Sequence, residues 1–134
     1  SQEQKRLFVV PAGVPTGRYR DEFFAFMRGG ATEPGDATSE EKIEGMFRSQ
    51  SVWDATMADS VARGMESGGR PVVLVVGAFH VGHDGGLVQA LRRVKPGARV
   101  VTINFVGAWA PESGVGDKER GVGDYVVYVG PAED

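Results

Sequence analysis

The stretch that decides the fold is PVVLVVGAFHVGHDGG, residues 71–86. It opens with five consecutive apolar residues, 72–76, a pattern typical of a strand buried on both faces of a parallel sheet. A glycine ends this run, a short connection carries His80 and His83, and the closing DGG predicts the start of a helix. Ligands of open α/β sheets usually bind beyond the carboxyl ends of the strands. Both histidines of the chain therefore fall where such a fold places its site.

The segments on either side of this stretch complete an α/β pattern. A helix over residues 86–94 and a strand over 100–105 follow it, so that strand, helix and strand form a βαβ unit. A glycine-rich connection, 107–123, leads to a last strand over 124–130, and the apolar run 7–10 predicts a first or edge strand. The pattern predicts a mostly parallel sheet of about four strands.

Two helices are predicted between the first two strands, over residues 18–28 and 40–66. They form a helical excursion, about 18–68, beside the sheet. With 134 residues the chain is large enough for one real core, and we predict a single α/β domain spanning 1–134 with helices flanking the sheet.

One face of the second predicted helix mixes apolar and polar residues. At 100° per residue Gln50 falls at the centre of this face, and Asp54 lies about 40° away. An unpaired buried polar group costs on the order of 1–3 kcal/mol, so these side chains either bond to one another or to neighbours, or they line a pocket. Both interpretations stay open. The face comprises Ile43, Met46, Phe47, Gln50, Trp53, Asp54, Met57, Val61 and Met65.

Composition excludes several functions. The formal charge of −3 and the pI near 5.4 argue against a nucleic-acid partner. The chain has no cysteine, which excludes thiolate catalysis and zinc–thiolate sites. No apolar stretch approaches the ~18–20 residues that span a bilayer, and the start SQEQKR lacks the apolar core of a secretory signal. Any membrane association is expected through segments outside this chain.

His80 and His83 are three residues apart, a spacing at which two imidazoles can bind one metal ion. A metal site needs further ligands, and a pair of loop histidines is often only structural or solvated. Asp84 adds a candidate oxygen ligand, although its role as a helix N-cap explains it equally well. The helix start favours an anion such as a carboxylate or phosphate. No P-loop, GxGxxG or GxSxG motif accompanies these residues.

Four segments in this order resemble the ChaN-like haem-binding uptake proteins of the Tiki/TraB superfamily: QSVWDATMA (50–58), GAFH (77–80), HDGGL (83–87) and DYVVY (124–128). The resemblance runs from about residue 19 to 128 and covers the C-terminal part of the family's domain. It implies haem held between helices and sheet, iron-linked uptake at the bacterial cell envelope or periplasm, and haem shared across a homodimer.

The resemblance also implies which residues form the pocket. Gly77 and His80 match a Gly-x-x-His motif, and Gln50, Asp54 and Met57 match the family's Q-x-x-x-D-x-x-M helix. His80 and His83 are candidate iron ligands. So are three tyrosines, because tyrosinate also binds haem iron. These are Tyr19, Tyr125 and Tyr128.

The chain departs from the family in lacking an earlier half with its own Gly-x-x-His motif. A sheet without its first strands exposes an edge, which favours pairing with a second copy or with a missing segment. The resemblance gives the first hypothesis, which is a haem-binding protein rather than an enzyme. The alternative is a metal-dependent hydrolase or peptidase of the Tiki/TraB type, in which His80 holds a divalent ion that activates water. A chain that folds and binds nothing is the third outcome.

Overall fold

The computed structural model describes residues 7–29, 40–68, 71–109 and 114–130. Three helices precede two short strands, and a one-turn 3-10 helix lies between the second and third helices. In chain order the elements are α1 (Arg18–Gly29), α2 (Glu40–Glu66), the 3-10 turn (Ala78–His80), α3 (Gly86–Val94), β1 (Ile103–Val106) and β2 (Tyr125–Tyr128). The helices predicted over 18–28, 40–66 and 86–94 are confirmed.

An aromatic cluster joins α1 to α2. The ring of Phe47, which is fully buried, lies 5.1 Å from that of Phe23 and 5.7 Å from that of Tyr19, measured between centroids. Ile43 and Phe24 complete the cluster. Offset and tilted aromatic pairs add about 0.5–1.5 kcal/mol each beyond their burial, so this cluster fixes α1 on α2.

A second cluster of small and aliphatic residues joins α2 to α3. Its buried members are Ala58, Ala62, Ala90 and Leu91. Alanine side chains let the two helix backbones approach closely, and α3 presents an amphipathic face with Leu87 and Leu91 inward.

The buried face of α2 differs from the predicted face. At 100° per residue its centre is rotated by roughly 80° from Gln50, which lies at the margin and is half-buried. Met46 and Trp53, predicted inward, are 42% and 67% exposed. The prediction weighted bulky residues, whereas close packing against α3 selects small ones. The buried residues are Ile43, Phe47, Ser51, Asp54, Ala55, Ala58 and Ala62.

The sheet is smaller than predicted. β1 and β2 pair in parallel with Ile103 opposite Tyr125, and the described residues contain no further strand. The predicted strands over 7–10 and 72–76 do not form, and Val75 is 89% exposed. A strand satisfies its backbone only by pairing with a neighbour. No described segment pairs with 72–76, so the apolar run predicted to be central and buried lies at the surface.

A polar clamp holds the start of the two-stranded sheet. Asp124 Oδ2 accepts hydrogen bonds from the backbone nitrogen of Thr102, at 2.7 Å, and from its hydroxyl, at 2.9 Å. These bonds favour the carboxylate and lower the pKa of Asp124. Of the predicted βαβ unit, the helix and the second strand form, and the first strand does not. No helix in the described ranges is long and apolar enough to cross a membrane.

Candidate functional site

The 3-10 turn places His80 against α2. The backbone of His80 closes the turn by donating to the carbonyl of Gly77 at 3.0 Å, and Gly82 donates to that of Ala78 at 2.7 Å. The loop then folds back so tightly that a Cβ on Gly85 would overlap the carbonyl oxygen of His80. Gly85 stands where the loop meets the start of the helix, and its lack of a side chain permits this close approach.

A hydrogen-bonded network joins His80 to two helices. Its Nδ1 lies 2.7 Å from Asp54 Oδ1, and the hydroxyl of Tyr19 donates to Asp54 Oδ2 at 2.8 Å. The amide nitrogen of Gln50 lies 3.1 Å from the same Nδ1. Asp54 is fully buried, whereas the His80 side chain remains 24% exposed. Asp54 is thus internally bonded and supports a ring that reaches the surface, and Gln50 lies beside that ring.

Burial controls the protonation of the network. It raises the pKa of Asp54, and the hydrogen bonds from His80 and Tyr19 oppose that rise. Oδ2 also lies against the first residue of α3, since a Cβ on Gly86 would overlap it, and the positive end of the helix dipole favours a carboxylate there. Burial and the negative charge of Asp54 raise the pKa of Tyr19, which therefore stays a neutral phenol that donates.

This arrangement sets the tautomer of His80. An ionised carboxylate only accepts, so with Asp54 ionised the ring nitrogen at 2.7 Å carries the proton, and the neutral imidazole then has its lone pair on Nε2. The shorter contact prevails over that of Gln50, whose amide nitrogen cannot donate to a protonated Nδ1. Histidines that bind metals show the same pattern, in which a carboxylate orients the ring and raises its basicity.

The remaining predicted site residues lie at different distances from this network. Gly77 is beside His80, because a Cβ there would sit 3.9 Å from the ring carbon Cδ2. Met57 is half-buried on α2, one turn beyond Asp54. His83 bonds elsewhere: its Nδ1 lies 3.2 Å from the carbonyl of Gly121, and its backbone nitrogen donates to Val122.

The predicted metal site of His80 and His83 stays a prediction. In the described part of the chain no group of three His, Cys, Asp or Glu side chains is placed to hold a metal ion. Of the tyrosines, Tyr19 is committed to Asp54, and the hydroxyl of Tyr128 accepts a bond from the backbone of Gly116 at 2.9 Å. Tyr125 is 62% exposed.

Sequence reasoning missed the role of Tyr19 as the donor that secures Asp54. The signal was present, since a buried carboxylate on α2 needs partners and Tyr19 is a phenol on the apolar face of the neighbouring helix. It also missed two cavities, of about 390 and 210 Å³, which flank the Asp84–Arg92 ion pair and are not lined by His80. The His80 side chain is 24% exposed next to Phe79 of the turn, and Met46 and Trp53 are exposed on the side of α2 that carries Gln50.

Comparison with known families gives one match. The family model described as haem-binding uptake, Tiki superfamily, ChaN matches residues 1–91. The matched segment contains the whole Tyr19–Asp54–His80 network and ends within α3. It lies in the N-terminal part rather than the predicted C-terminal part: it begins earlier than the predicted range of 19–128 and leaves the DYVVY segment of β2 outside. Neither the curated proteins nor the solved structures gave a significant match.

Proposed function

The chain belongs to the haem-binding uptake (ChaN) family of the Tiki superfamily, and from this premise we propose that it binds haem through Nε2 of His80 in iron-linked uptake at the bacterial cell envelope. The observation that carries the proposal is the buried carboxylate of Asp54 on the opposite ring nitrogen, 2.7 Å away. An imidazole held in this way offers its second nitrogen to iron without rearrangement.

The residues around His80 fit haem as a flat apolar ligand with one axial contact. Haem supplies the iron that an imidazole binds, and the protein supplies the ring and the apolar surface beside it. Phe79, next to His80, is 39% exposed and packs on Phe26, which is 70% exposed. Met46 and Trp53 lie on the same exposed stripe of α2 as Gln50. We propose that these side chains form one wall of the haem site.

One wall removes only one face of a planar ligand from water, so a second wall is needed to cover the other face. Neither of the two cavities described above is lined by His80, and the exposed apolar side chains near this ring supply only one wall. We propose that a second copy of the chain covers the haem, in line with the homodimer that the family resemblance implies. Mass measurement with and without hemin tests this part separately.

Hemin titration followed at the Soret band tests the ligand. The native chain is expected to give a saturable shift that His80→Ala abolishes or moves to another wavelength. Asp54→Asn is expected to weaken binding by about 10–100-fold, because an amide that donates to Nδ1 forces the proton onto Nε2. His83→Ala is the matched control, since it removes the other histidine of the same loop and should leave the spectrum unchanged.

Two outcomes contradict the assignment. If His80→Ala keeps the native Soret spectrum while Tyr125→Phe or Tyr128→Phe changes it, a tyrosinate holds the iron. If the native chain gives no shift at all, the haem proposal fails for this chain. Thermal unfolding of each variant shows whether a lost spectrum reflects lost fold.

The metal-dependent hydrolase remains the alternative prediction and has less support. Water activation requires a metal held by several side chains. The described residues bring His80 to Asp54 and Gln50, and Nδ1 of that ring is already engaged by the carboxylate. Metal analysis after incubation with Zn, Mn or Co would favour this alternative if one equivalent is retained by the native chain and lost in His80→Ala.

A further inference from the structure

A cationic cavity lies on the other side of the loop from the network of His80. It has a volume of about 390 Å³ and is formed where the loop before α1 and the loop with His83 and Asp84 meet the middle and last turn of α3. Three guanidinium groups line it, those of Arg18, Arg92 and Arg93, with one acidic residue, Asp84. Cavities of 300–1,000 Å³ are typical of small-molecule sites.

The frame of the cavity is fixed by Gln89. Its side chain accepts from the backbone nitrogen of Thr16 at 3.2 Å and donates to the carbonyls of Thr16, at 3.0 Å, and Asp84, at 2.7 Å. Asp84 and the preceding His83 both have positive φ, of 58° and 54°, a conformation that costs about 1–2 kcal/mol for such residues. Contacts from three segments hold this loop in place, so the lining is preorganised.

Within the described residues, the protein pairs two of the three lining arginines with acidic side chains and leaves the third without one. Arg92 pairs with Asp84, and Arg18 pairs with Glu22 in a half-exposed contact of the kind that contributes little. Arg93 donates to the carbonyl of Gly13 at 3.3 Å and makes no ion pair within the described residues. Arg92 also lines the neighbouring cavity of about 210 Å³ together with Asp124, so among the described residues Arg93 is the lining arginine that has no acidic partner.

We propose that this cavity binds a small oxyanion of the phosphate or phosphate-ester class. Guanidinium groups recognise such oxygens through paired hydrogen bonds, and phosphate, with about −1.5 to −2 charges at neutral pH, attracts them more strongly than a monoanion does. The site is distinct from that of haem, because Arg93 and Gln89 face this cavity whereas His80 faces α2.

Calorimetric titration of the haem-free chain with inorganic phosphate and with pyrophosphate tests the site. Saturable binding is expected, and Arg93→Gln or Arg18→Gln should raise the Kd by about tenfold, the loss of one charge-assisted contact. Arg63→Gln is the matched control: it removes the same charge from an arginine of α2 that pairs with Asp59 outside the cavity. Hemin binding by Arg93→Gln should equal that of the native chain, so that failure of the haem proposal leaves this test intact.

Three results overturn the proposal. The first is the absence of saturable phosphate and pyrophosphate binding. The second is equal weakening by Arg63→Gln and Arg93→Gln, which indicates general charge attraction. The third is loss of hemin affinity in Arg93→Gln with no phosphate binding by the native chain, which assigns the cavity to the carboxylates of haem. Two arginine variants are used so that misfolding of one, seen by thermal unfolding, leaves the other informative.

Discussion

The helical part of the molecule (α1, α2 and α3) and its strand part (residues 71–77, 100–109 and 122–130) treat similar apolar residues in opposite ways. In the helical part Ile43 and Phe47 are fully buried, whereas in the strand part Val75 is 89% and Phe105 is 68% exposed. A helix satisfies its own backbone and needs only a face to pack on, while a strand needs a lateral neighbour. The helices therefore bury their apolar residues against one another, whereas the strand part needs further strands to pair with before its apolar residues can be buried.

The largest expected effect on stability comes from removing one large side chain from the helical core. Phe47→Ala should lower the free energy of unfolding by about 3–5 kcal/mol, because it removes a buried ring that contacts Tyr19, Phe23 and Phe24. Phe105→Ala, the matched change in the strand part, should cost under about 1 kcal/mol. Urea denaturation measures both. A large cost for Phe105→Ala that grows with protein concentration would contradict the comparison, since a second copy would then bury the strands.

The contact of α3 with the buried carboxylate gives the next effect. Gly86→Ala should destabilise the fold by about 1–3 kcal/mol, because the new methyl group overlaps Asp54 and Tyr19. Gly45→Ala is the control: this position on α2 has open space around it, and the change should stabilise the helix by about 0.5–1 kcal/mol. Thermal unfolding distinguishes the two. Equal behaviour of both variants would show that α3 does not sit on Asp54.

Removing the phenol tests the network itself. Tyr19→Phe should cost about 1–3 kcal/mol, since Asp54 loses a buried donor. Burial raises the pKa of Tyr19 above the usual value of about 10. The folded state then retains a proton that the unfolded state releases, so this contribution is present below pH ~10 and is lost as the pH rises above it. Stability measured from pH 8 to 11 should therefore fall less steeply for Tyr19→Phe than for the native chain.

The smallest effect is expected at the clamp of the sheet. Thr102→Val removes the hydroxyl bond to Asp124 and should cost about 0.5 kcal/mol, while Thr102→Ser keeps that bond. Because the pKa of Asp124 is lowered by its bonds to Thr102, its contribution is present above pH ~4 and is lost as the pH falls. Acid titration of strand signals by NMR measures this. An unchanged midpoint of Asp124 in Thr102→Val would contradict the role of the hydroxyl.

The helices could be predicted because their signals are local. Apolar spacing and terminal glycines or prolines fixed the extent of α1, α2 and α3 to within a residue or two. The rotation of α2 could not be predicted from bulk hydrophobicity, because the alanines Ala58 and Ala62 are buried only in the presence of α3. The strand predicted over 72–76 does not form. A strand is buried only when neighbouring strands pair with it, and the sequence of the run itself does not specify those neighbours.

The site was predictable as a set of residue types and not as a geometry. Gln50 and Asp54 stood out as polar positions on an apolar helix, and His80 as the histidine of a Gly-x-x-His motif. Which of them touch depends on the 3-10 turn and on the close approach of α3, both of which are tertiary features. His83 lies in the same loop, three residues after His80, yet its left-handed backbone directs its side chain away from Asp54.

The two glycines at the start of α3 also matter for tracing this arrangement through other genomes. No side chain fits at Gly85 without striking the backbone of His80, and none fits at Gly86 without striking Asp54. A sequence that conserves the geometry must therefore carry the longer signature G-x-x-H-x-x-x-x-G-G, residues 77–86 here, with the aspartate 26 positions before its histidine. Homologues that keep the histidine but replace either glycine are expected to have moved this helix, and with it the carboxylate behind the ring.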